Sequence, residues 1–315
     1  MSMPEAAAEL GQGPRGRRLC HELQNEGQAT DAGALLAALA DAVSWATYWQ
    51  EPDGWDRQLA TPAARDALAP VAAAVAAAPA AAWWWTPAAL GDQQYVDWVD
   101  DRHDHSPSLT GAAAKLAAWR RGTLEDEDRA AERPADPGAR WSGHWWSTPA
   151  LSGLPSTTRA AAGLGAVALA LTEDSMGWAE ARVWPVQARP GVRVYELTGP
   201  AAWAELVRRY PLEVTRARWH DWFRVTGRAG RWLTPDYVAV AADWDAVHLT
   251  VAGYLSTAGV TCPVTGQAAT MLAGWNPDQT WWLTDALTLG GPATYWVNPD
   301  GGGPGWRAGS TQSPQ

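Results

Sequence analysis

The chain has 315 residues, 47% hydrophobic and 18% charged, with a net charge of −10. That length supplies one large domain or two ordinary ones, each able to bury a core. The acidic balance argues against a general nucleic-acid binder and against docking on an anionic membrane, because both need clustered Lys and Arg.

Residues 1–28 are rich in Gly, Ala, Arg and Gln without sustained apolar periodicity, which predicts a disordered tail. The opening MSMPEAAAELGQGPRGRR has no apolar h-region, so neither secretion nor a membrane span is expected. Cys20 lies in this tail and Cys262 in a Thr/Pro/Gly-rich stretch. Two isolated cysteines make neither a disulfide framework nor a zinc knuckle, and a reducing cytoplasm is the expected location. In TDAGALLAALADAVSWATYWQ, Thr30 or Asp31 caps a helix with Leu35, Leu36, Leu39, Val43 and Ala46 as its apolar stripe. A second helix starts at Thr61 as N-cap with Pro62 at N1, and Pro70 is expected to kink or end it. The run VDDRHDHS brings His103 and His105 close to Asp100, Asp101 and Asp104, an HxH pattern that shares a face on a strand. No further His or Cys follows at a recognised spacing, so the run reads as a solvated loop and no metal site is expected. GAAAKLAAWRRG closes a mainly helical region, 29–122.

Residues 123–140, TLEDEDRAAERPADPGAR, are charged and then punctuated by proline, the composition of a linker. Strand-like segments follow at AVALAL, ARVWPV and VRVYEL, and GPAAWAELVRRYP reads as a helix with Pro200 at N1. In LTPDYVAVAADWDAVHLTV, Thr234 caps and Pro235 starts a short helix, after which the apolar period switches to two. Val247, Leu249 and Val251 then share one strand face; Ala246, His248 and Thr250 share the other. QTWWL and ATYWV predict two more strands within an α+β domain over 141–298, and 299–315 reads as a disordered tail. The predicted fold class is α+β: a helical N-terminal half packed on or linked to a mixed, mainly antiparallel C-terminal sheet with short helices.

Three groups of residues carry candidate chemistry. The first is TRARWHDWFRVTGRAGRWLTPD, the largest local basic cluster, where Arg216 and Arg224 lie among Trp219 and His220. Guanidinium planes beside indoles suit a phosphate and a flat ring; arginines stacked on tryptophans also simply hold loops together. The second is RWSGHWWSTP, with Trp145 and Trp146 adjacent. The chain has no Ile and one Phe, so its 23 tryptophans are mostly core material, but in an extended strand only one of this pair points inward. The third is His248, a general acid or base if a carboxylate orients it, with no nucleophile identifiable beside it. The sequence has no G-x-G-x-x-G, Walker lysine, G-x-S-x-G or H-E-x-x-H pattern.

The stretch from YPLEVTRARWHDWFRV to LAGWNPDQTWWL resembles uncharacterised Trp-rich proteins of high-GC actinobacteria, a resemblance that implies an origin and carries no activity. Arg193 in VRVYEL and YLST at 254–257 loosely resemble the early-strand Arg and the Ser-Thr-Ser strand of ADP-ribosyltransferases. No glutamate follows Glu213, so Asp278 or Asp285 would stand where that family has its late Glu. The composition and clusters favour a cytoplasmic protein that recognises a small anionic or nucleotide-like ligand through Trp145, Trp146, Arg216, Trp219, His220 and Arg224. The resemblance implies instead a group-transfer enzyme using NAD, with His248, Arg193 and Asp278 as its catalytic residues. A non-catalytic interaction or immunity protein, with tryptophans as interface anchors, is the third reading.

Overall fold

The computed structural model describes residues 3–26, 31–99, 107–161, 165–173, 175–299, 301 and 303–309. The segment expected to be a disordered tail forms two helices, α1 (Met3–Leu10) and α2 (Pro14–Glu26), with Leu10, Leu19 and Leu23 buried. Its glycines are contact points. A Cβ on Gly13 would lie 2.0 Å from the Leu255 carbonyl oxygen, and one on Gly16 would lie 1.8 Å from that of Leu10. Backbones meet there, which only glycine permits, and composition alone cannot separate that use of glycine from looseness.

Asp31 caps α3 (Ala32–Ser44) by accepting the Ala34 amide at 2.8 Å. A short α4 (Gly54–Leu59) follows, then α5 (Pro62–Ala77), capped by Thr61. Pro70 neither ends nor interrupts α5; it lies on the exposed side, where a carbonyl left without its amide partner is open to solvent. After a 3-10 turn (Pro79–Trp85), the chain enters β1 (Gln93–Trp98), a strand the sequence reading missed. The expected linker is half helix: α6 runs Ala112–Arg129.

The remaining elements are β2 (Ser156–Ala161), β3 (Gly165–Ala166), α7 (Val167–Ala170), β4 (Glu180–Ala188), β5 (Val194–Leu197), α8 (Pro200–Arg209), β6 (Pro211–Glu213), α9 (Thr215–Thr226), β7 (Arg231–Pro235), α10 (Tyr237–Asp243), β8 (Ala246–Leu249), α11 (Val251–Thr257), β9 (Thr261–Thr265), β10 (Ala268–Met271), β11 (Thr280–Trp282), β12 (Leu287–Leu289), β13 (Thr294–Val297) and β14 (Arg307–Ala308). Among the described residues, the larger sheet runs β14-β13-β4-β1-β2-β11-β8-β5, with β12 on β4 and β3 on β2. A smaller sheet runs β6-β7-β10-β9. Among the described strands, β5·β8 and β7·β10 pair in parallel and the others antiparallel, so the protein is α+β with mixed, mainly antiparallel sheets. No single helix among the described residues is long and apolar enough to cross a membrane.

Several local expectations shift. AVALAL is mostly the helix α7, and the Arg/Trp segment read as a loop contains α9. Thr234 and Pro235 close strand β7, and Asp236 caps α10 instead, accepting the Val238 amide at 3.1 Å. Strand β8 stops at Leu249 because Thr250 accepts the Gly253 amide at 2.9 Å and starts α11. The expected C-terminal tail contributes β14 and the buried Trp306.

Candidate functional site

The described residues place the sequence candidates in separate groups. Arg216, Trp219 and His220 meet, with Arg133 opposite, around a cleft of about 220 Å³. His220 Nε2 is already 3.0 Å from the Pro134 carbonyl. Arg224 faces elsewhere, donating to the Trp141 carbonyl and, at 2.8 Å, to Asp221. Trp145 is core, and its carbonyl accepts the Trp222 indole N–H at 2.8 Å. Trp146 does not point away from it, since 141–146 is not a strand; the two rings lie 5.0 Å apart, and Trp146 walls another cleft beside His144 and Arg218. The basic cluster is largely self-neutralised. Arg218 lies 3.5 Å from Asp126, and Arg231 lies 2.6 Å from Glu213.

His248 and Asp278 do come together, with two partners the sequence did not nominate. Glu196 lies beside His248 across the β5·β8 pairing, its carboxylate 2.5 Å from Nδ1; Asp278 is 3.3 Å from Nε2. Asp278 also accepts Arg159 through Nε at 2.6 Å and the backbone amide at 2.8 Å. Burial lowers the His248 pKa, but the hydrogen bonds to Asp278 and Glu196 outweigh it and hold the imidazole above its ordinary value. Both His248 and Asp278 are at most 1% exposed, and the network pins the 86–88 segment through Glu196 to the Ala88 amide and Arg159 to Thr86 and Pro87. It is a clamp buried at His248 and Asp278, with Glu196 half-buried and Arg159 lining a neighbouring cleft beside Trp83 and Trp84. Arg193 stays outside it, with its guanidinium 3.8 Å from Asp245, and Tyr254–Thr257 lies in helix α11 rather than on a strand. His103 and His105 lie outside the described residues, among which no cluster of three or more His, Cys, Asp or Glu is grouped to hold a metal.

The site that sequence reasoning missed lies where α2 begins. Gln12, Pro14, Arg15 and Arg17 form one wall of a cleft of about 320 Å³. Trp45, Thr47, Tyr48 and Gln50, from the chain between α3 and α4, form the second, and Asp56, Arg57 and Arg65 the third. The floor comes from the other end of the chain, at Thr226 of α9 and Gly259 to Thr261 before and in β9. Four arginines therefore face one carboxylate, and Asp56 is already bound to Arg15 and lies 3.6 Å from Arg18. Among the described residues, Arg17 donates to the carbonyls of Gly11 and Gln12, at 3.2 and 2.6 Å.

The guanidinium groups are short of acceptors. The buried Nε–H groups of Arg15 and Arg17 have no acceptor, although both side chains are more than nine-tenths buried. Burial, then the neighbouring Arg65 cation, pulls the Arg17 pKa down to about 10. The open end of α2 adds the positive pole of a helix dipole. Beneath the cleft, Arg15 and Tyr48 continue inward to Tyr254 and Glu173, whose carboxyl is pushed up to about 8 by burial, against the hydrogen bond from the Gly274 amide. The available signal was PRGRR, a proline-led helix start carrying three arginines in an acidic chain. Comparison of the chain with protein-family models, curated proteins and solved structures finds no match.

Proposed function

We propose that this chain is a recognition protein for a small anionic ligand, held in the cleft of Arg15, Arg17, Arg57 and Arg65. The observation that supports this reading is the imbalance of four guanidinium groups facing one carboxylate that is already paired. Among the described residues no carboxylate pairs with the buried Arg17, which lines the cleft beside the exposed Arg57 and Arg65. A phosphate or carboxylate with two or more oxygens relieves the repulsion among these cations through charge-assisted, bidentate hydrogen bonds. Arg57 and Arg65 are exposed and contribute no core packing, so they test the site without threatening the fold. Titration calorimetry with inorganic phosphate and pyrophosphate at low ionic strength is expected to show saturable binding that weakens with salt. Arg57→Ala combined with Arg65→Ala is expected to weaken it by roughly tenfold or more. Absence of heat and of thermal stabilisation by either anion would overturn the reading.

A further inference from the structure

Trp45 is the C-cap of α3, at the start of the connection 45–53 to α4, and is 47% exposed at the edge of the arginine cleft. One face of this half-exposed indole has a cationic partner. The Arg18 guanidinium lies 4.3 Å from the ring centroid. Arg18 is itself fixed, 2.8 Å from Asp53 and 3.6 Å from Asp56. The indole is thus a braced plate, backed by an immobilised cation and facing the space that the other arginines line. A flat ring stacking on it would complete a ring–indole–guanidinium sandwich at little cost in side-chain entropy.

The charge and the plate open on one cavity. About 320 Å³ is near the lower end of small-molecule sites, room for one ring joined to a compact anion and too little for a dinucleotide. Thr47 and Gln50, a few residues along from Trp45, place a hydroxyl and an amide on the same wall, where a sugar or the edge of a base can hydrogen-bond. A bare phosphate would leave the plate unused, and a flexible acidic peptide would gain little from one indole. A planar heterocycle linked to a phosphate through a sugar uses every feature.

We propose that the cleft takes a mononucleotide, with its phosphate among Arg17, Arg57 and Arg65 and its base stacked on Trp45. This assignment rests on the anion reading above and extends it from charge to ligand class.

The test is calorimetry on the full chain with four probes: inorganic phosphate, ribose 5-phosphate, adenosine monophosphate and uridine monophosphate. Wild type is expected to bind at least one nucleotide roughly tenfold or more tightly than ribose 5-phosphate, the increment a base gains on an aromatic plate. Trp45→Ala is expected to remove that increment while leaving inorganic phosphate affinity within about twofold, and Trp45→Phe to restore most of it. A melting curve for each variant, and the unchanged phosphate affinity, separate loss of stacking from loss of fold. If phosphate binds through the arginines but nucleotides bind no tighter than ribose 5-phosphate, or Trp45→Ala changes no ratio, the nucleotide assignment is overturned and the anion reading stands. If none of the probes binds, both are overturned.

Discussion

Glu173 is a carboxyl group in a place where a charge is expensive, and that fixes how its ionisation couples to stability. It is fully buried, with its pKa raised from 4.5 to about 8 by burial, against the opposing hydrogen bond of the Gly274 amide. Below about pH 4.5 it is protonated in folded and unfolded chains alike and costs nothing. As pH rises towards 8 the unfolded chain releases this proton first, so stability falls across that window and is lowest once the folded group ionises. Glu173→Gln removes the titration and keeps an oxygen to accept the Gly274 amide, donated to Glu173 at 2.8 Å. The difference in melting temperature, variant minus wild type, is therefore expected to become more positive between pH 5 and pH 8.5; a difference independent of pH would contradict it. None of this was legible in the sequence, where Glu173 is one acidic residue in a turn-like stretch. The tryptophans were partly legible: scarcity of Phe and Ile marked most of them as core but not which of Trp145 and Trp146 points inward; Trp145 is the buried one, and Trp146 leans on its neighbour's ring. Pairing was the least legible property. The arginines of 216–231 looked free and are mostly matched by Asp126, Asp221 and Glu213, residues whose proximity only the fold creates.

Secondary structure was legible wherever a cap or a period is local. Asp31, Thr61 and Pro200 mark the helix starts the sequence predicts, since a side chain bonding an amide a few residues on, or a proline pre-set for the first turn, needs no tertiary partner. The helix α2 was missed because Pro14, Gly16 and the preceding Gly11 and Gly13 read as breakers, although its Arg, Leu, Glu and Gln residues favour a helix and contact with α3, α5 and α11 holds it. Its glycines make that contact measurable. Gly16→Ala would normally favour a helix by about 1 kcal/mol, but here the new Cβ meets the Leu10 carbonyl at 1.8 Å, and backbone must move to relieve it. A net loss of roughly 2–4 kcal/mol is expected, in the range of overpacked cores. Gly122 in α6 is the control: nothing lies within 4 Å of its Cβ position, so Gly122→Ala is expected to gain about 0.5–1 kcal/mol. Urea denaturation of both variants reads the two signs directly. Equal gains from the two substitutions would show that α2 does not pack as closely as its backbone contacts require.

At the scale of the whole molecule, the halves separated by the charged 123–140 segment are not independent. β1 comes from the N-terminal half, yet it pairs with β4 along Gln93 to Trp98 on one side and with β2 at Gln93 to Tyr95 on the other. It holds the sheet together from inside. Its sequence, QQYVDW, hides this, because a strand flanked on both sides draws its order from neighbours distant in the chain rather than from its own β-propensity. The main core is also shared, running from Leu10 and Leu19 in α1 and α2, through Trp84 and Leu116, to Trp222 and Leu283. The arginine cleft has the same origin, with walls from the first 65 residues and a floor from α9 and β9. Removing either half would expose apolar core surface and leave β1 or its partners with unpaired backbone amides and carbonyls, each costly once buried. Unfolding is therefore expected as one cooperative transition, with far-ultraviolet dichroism and tryptophan fluorescence giving the same midpoint. Chains cut to 1–139 and to 140–315 are expected to show no cooperative melt alone, and to regain one, together with phosphate binding, only when mixed. A C-terminal piece that melts cooperatively by itself would mean the sheet closes without β1, and the cleft floor would then be a separate folding unit from its arginine walls.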